Sequence, residues 1–133
     1  MKKVVLHFYG YTWEEYAFQI SSLKGIFIVY RGQLDPEGFI DLKEILYVGY
    51  HHGIIELYDN KIIDSLKQYM VLGERLFLSY AEEPNDVDGK QIASLIAEAV
   101  QPKHREDALD TSEIHEMTVL CQGNCKLIPK EIK

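Results

Sequence analysis

Apolar β-type runs and amphipathic stretches succeed one another along the chain, and their order predicts an α/β (α+β) fold. Val4-Val5-Leu6-His7-Phe8 has strand character and is bounded by Gly10. Thr12 with Glu15 forms a capping box, and Trp13, Tyr16, Ala17 and Ile20 share one face of the helix it opens. Gly25-Ile26-Phe27-Ile28-Val29-Tyr30 and Ile45-Leu46-Tyr47-Val48-Gly49-Tyr50 are continuous apolar runs separated by turn formers (Gly32, Asp35, Pro36, Gly38). Neither run alternates cleanly, which predicts an antiparallel hairpin buried on both faces. Asp59-Asn60 offers an N-cap for a helix carrying Ile62, Ile63, Leu66, Tyr69 and Met70, with Gly73 as its terminator. Arg75 to Tyr80 is a third strand, followed by an acidic loop around Glu82, Glu83 and Asp86. A helix over about residues 87–100 presents Ile92, Leu95, Ile96, Ala99 and Val100, and Pro102 closes it. A polar loop over 104–116 and a closing hairpin, Met117 to Cys121 and Cys125 to Ile128, complete the chain.

A length of 133 residues with 47% hydrophobic content fits one domain over residues 1–133. Fourteen basic against twenty-one acidic residues leave a formal charge of −7, so the average surface repels a phosphate backbone. Any nucleic-acid function must rest on a local patch, and a protein partner suits an acidic chain at least as well. The apolar run after Met1-Lys2-Lys3 is too short for a signal peptide, and no stretch reaches the length of a membrane span. Together with only two cysteines, Cys121 and Cys125, this leads to the expectation of a cytoplasmic protein with reduced thiols and no membrane association.

Gly25-Ile26-Phe27 followed by Tyr47-Val48-Gly49 resembles the paired motif of the GIY-YIG nuclease superfamily. Gln101-Pro102 after an apolar helix is similar to the helix end of the family's repair-endonuclease branch. The likeness spans about residues 25–102, and hairpin, helix, third strand and terminal helix follow in the family's order. It implies a small central antiparallel sheet flanked by helices, extended by the terminal segments. It also implies phosphodiester hydrolysis with one divalent metal: tyrosines position the attacking water, an arginine steadies the phosphate and a glutamate holds the metal.

This chain departs from that pattern at most of the chemical positions. Phe27 stands where the first motif has tyrosine, and Tyr30 faces the other side of its strand. Counting from Gly49 to the arginine lands near Leu57, with Lys61 the nearest basic residue. Counting back from the last helix places the metal glutamate at Ile92 or Ala93, neither of which binds a metal. Tyr47 is retained. The segment between the motifs is longer than the family's hairpin, which costs little to close.

These departures define the expectations. The candidate site comprises the motif positions Gly25, Phe27, Tyr47 and Gly49, with Tyr47, His51 and His52 as candidate catalytic groups and Lys61 and Lys67 as candidate nucleic-acid contacts. Against this, a tyrosine beside a buried glycine is more often a core residue, and a loop histidine pair is more often solvated. Cys121 and Cys125 with His104 and His115 do not have the spacing of a zinc knuckle. No cofactor or metal is expected, and Mg2+ or Mn2+ enters only if the chain is a genuine endonuclease. The leading expectation is a catalytically degenerate binding or interaction module; the alternative is a metal-dependent endonuclease in which Tyr47, His51, His52, Lys61 and Glu56 rebuild the centre.

Overall fold

The two apolar runs pair as expected, but over a longer ladder. In the computed structural model, which describes residues 2–13, 23–104 and 116–133, β2 (Gly25–Leu34) and β3 (Ile40–His51) pair antiparallel from Gly25↔His51 to Leu34↔Ile40. The long connection predicted between the motifs is therefore mostly strand. Its turn is confined to Asp35 through Phe39, where the Asp35 carboxylate accepts the N–H groups of Glu37 and Phe39 at 2.9 Å each.

Two register shifts interrupt this ladder. Val29 pairs with Tyr47 but Tyr30 with Ile45, so Leu46 is an extra residue; Arg31 pairs with Glu44 but Gly32 with Leu42, so Lys43 is another. Each bulge resets the alternation of β3. Ile45 faces one core while Leu46 and Tyr47 both face the other, and Val48 returns to the first. Both faces of the ladder carry an apolar core, and this is why neither run shows a clean period of two.

β4 (Arg75–Glu82) pairs antiparallel with the other side of β2, so β3-β2-β4 form the antiparallel side of a sheet that is larger than the small central one the resemblance implies, and mixed instead of wholly antiparallel. β1 (Lys2–Trp13) lies beyond β4, β5 (Met117–Gly123) runs parallel to β1, and β6 (Glu131–Ile132) ends a curled six-stranded sheet of order β3-β2-β4-β1-β5-β6. Three helices flank it among the described residues: α1 (Ile55–Asp59), α2 (Ile62–Leu66) with a 3-10 turn at Lys67–Tyr69, and α3 (Asp86–Val100). Ile92, Ala93 and Ile96 of α3 join Ile26, Ile28, Tyr30 and Val48 in a first core. On the opposite face Leu57, Ile62, Ile63 and Leu66 cover Phe27, Val29, Leu46, Tyr47 and Leu78 in a second. Asn85 caps α3 by accepting the Asp88 N–H at 3.0 Å, and Asp86 and Asp88 suit the positive end of its dipole.

Several boundaries differ from expectation. β1 does not stop at Gly10; a register shift between Tyr9 and Thr12 carries it through to Trp13, so Thr12 and Trp13 belong to a strand instead of opening a helix. The remainder of that predicted helix, 14–22, and most of the predicted polar loop, 105–115, lie outside the described residues. Asn60 ends α1 instead of capping α2, whose N-cap is Lys61 in the left-handed region (φ 59°). The closing hairpin forms with Glu131–Ile132 as its second arm, because Asn124 to Ile128 are drawn into a turn. In that turn the Asn124 N–H donates to the Phe8 carbonyl and the Lys126 N–H to the Tyr11 hydroxyl. No helix among the described residues is long and apolar enough to cross a membrane.

Candidate functional site

The bulge at Leu46 turns Tyr47, and with it Gly49 and His51, toward the α1–α2 face. Side chains in a strand lean along it, and the Tyr47 ring lies over Gly49 toward His51. A Cβ at residue 49 would stand 2.3 Å from the Tyr47 hydroxyl and 2.6 Å from its Cζ, so glycine is required for this placement. Gly25 has the same kind of role, since a Cβ there would meet the Tyr80 ring at 2.5 Å and the Ala81 carbonyl at 2.3 Å. Both motif glycines thus leave room for a tyrosine.

Tyr47 is fully buried, and its hydroxyl meets His51 Nε2 at 2.7 Å. His51 is 8% exposed, so the solvated-loop expectation fails for it: the residue ends β3, and the chain returns over it as α1. Its Nδ1 lies 3.4 Å from Glu56 Oε1, giving a hydroxyl, imidazole and carboxylate in sequence. Around them stand Phe27, whose ring centre is 6.3 Å from that of His51, and His104, 6.2 Å from Tyr47. His104 is brought there by backbone bonds of Lys103 and His104 to the Ile45 and Leu46 carbonyls, the latter freed outward by the bulge. Glu56, which the sequence offers as a polar group of the endonuclease alternative, does join His51, whereas the approach of His104 does not show in the spacing of the motifs, because the bonds that place it cross between elements.

His52 diverges from His51, as neighbours in a strand must. Its backbone N–H donates to the same Glu56 oxygen at 2.6 Å, while its Nε2 lies 3.0 Å from Asp86 Oδ1 at the start of α3. Asp86 also accepts the Tyr50 hydroxyl at 2.9 Å and faces Lys24 at 3.3 Å. The Tyr50 bond foremost, with Lys24 and His52, holds the Asp86 carboxyl below the usual range, against a smaller opposing effect of burial. Burial, reinforced by Asp86, pushes the Tyr50 phenol well up. Glu83 is shifted upward by burial and by Asp88.

The other candidates stand apart from this network. Lys61 and Lys67 are exposed on the α1–α2 segment, the first between the two helices and the second opening the 3-10 turn, 3.9 Å from Asp64. Leu57, where counting places the phosphate cation, is fully buried in the second core. Ile92 and Ala93, where counting places the metal carboxylate, lie in the first core, across the sheet from Tyr47. These residues do not fit a divalent metal. Among the described residues no group of three or more His, Cys, Asp or Glu side chains is placed to hold one. Cys121 packs in the first core, whereas His104 approaches Tyr47 in the second; His115 lies outside the described residues. Comparison with family models, with curated proteins and with solved structures gives no match.

Proposed function

We propose that this chain is a catalytically degenerate domain of GIY-YIG-like design, acting as a binding or interaction module. The observation that carries the reading is the division of the counted catalytic positions between two cores. Phe27 and Leu57 pack on the Tyr47 side and Ile92 and Ala93 on the other, so the four positions converge on no common point. A phosphoryl-transfer centre works as a unit, and apolar packing at the cation and carboxylate positions leaves too little transition-state stabilisation for turnover.

The endonuclease alternative draws on one observation, the run Tyr47, His51, Glu56, which has the donors of an acid–base relay. Burial weighs against it, since the Tyr47 hydroxyl is enclosed and reaches no phosphate unless α1 moves. The deciding experiment incubates the protein with supercoiled plasmid, branched DNA and structured RNA in Mg2+ or Mn2+, beside a Tyr47→Phe variant. The expected result is no cleavage by either. Metal-dependent cleavage that the variant lacks overturns the module reading.

A further inference from the structure

We draw no further inference here: the strongest candidate, the outer face of β1, where Val5, His7 and Tyr9 stand exposed at alternate positions with Leu120 of β5 in register beside Val5, is an unpartnered sheet face, and nothing in the structure shows what covers it.

Discussion

Replacing Gly49 by alanine tests whether the motif glycine exists to seat the Tyr47 ring. The added methyl would lie 2.3 to 2.7 Å from three atoms of that ring, distances no relaxed contact shows, so the ring must leave. Tyr47 is fully buried, and moving it breaks the 2.7 Å contact with His51. Overpacking of this kind costs about 1–3 kcal/mol, and stranding a buried polar partner adds a further 1–3, so the expected loss is about 3 kcal/mol. With a urea slope of about 1.5 kcal/mol/M the unfolding midpoint should fall by roughly 2 M at unchanged slope. A double-mutant cycle isolates the cause: in a Tyr47→Leu background the clash is gone, and Gly49→Ala should cost less than about 1 kcal/mol. Additive losses would refute the reasoning, as would a single variant within about 0.5 kcal/mol of the parent.

Gly89→Ala on α3 should also destabilise, although alanine is the better helix former by about 1 kcal/mol. Its Cβ would stand 2.1 Å from Tyr50 Cε1, and the Tyr50 hydroxyl is held at 2.9 Å by both the Glu83 carbonyl and Asp86, so a net loss of about 2 kcal/mol should lower the melting temperature by roughly 8 °C. The Asp86 carboxyl, lowered first by its Tyr50 bond, contributes stability that is present above the unfolded carboxylate value and lost as pH falls through the lower folded one. Asp86→Asn should therefore flatten the decline of the urea midpoint below about pH 4. Glu83, raised mainly by burial, has the opposite sign: its contribution is present below its unfolded value and lost as pH rises through the folded one, so Glu83→Gln should gain stability at pH 7 relative to about pH 4. Burial pushes the Cys121 thiol up to about 12 and raises Cys125 as well, so an aromatic disulfide reagent at pH 7.5 should modify Cys125 slowly and Cys121 only on unfolding. Fast labelling of both in the folded protein would contradict this.

The β2–β3 hairpin was legible because its runs are continuously apolar, and β4 and α3 because each has clear boundaries. Asn85, unremarked within the acidic loop, proves to be the helix cap. What escaped has a common cause in contacts between residues far apart in sequence. The parallel pairing of β1 with β5 joins Lys2 to Met117 and Phe8 to Gly123, and no local pattern announces it. Residues 31–34 and 40–44 read as loop because Arg31, Lys43 and Glu44 are charged, yet they pair in the ladder, where Arg31 bonds Glu44 at 2.7 Å. The divergence of His51 from His52 was legible from strand alternation. The burial of His51 was not, because it depends on α1, whose five residues are too few for periodicity to reveal.

The candidate site depends on an irregularity that a period-two reading suppresses. Continued from Ile45 without interruption, strict alternation would put Tyr47 in the first core, against α3, and Val48 in the second. The extra residue Leu46 reverses that assignment for every later position of β3. It sets Tyr47, Gly49 and His51 on the side where α1 brings Glu56, and it leaves Tyr50 facing the Asp86 end of α3. The same displacement turns the Leu46 carbonyl outward to receive the His104 N–H at 2.9 Å, so the strand is bent, re-aimed and covered at one point. Counting along the sequence to a catalytic position assumes that alternation is preserved. Here one unpaired residue decides which of two separate cores receives Tyr47.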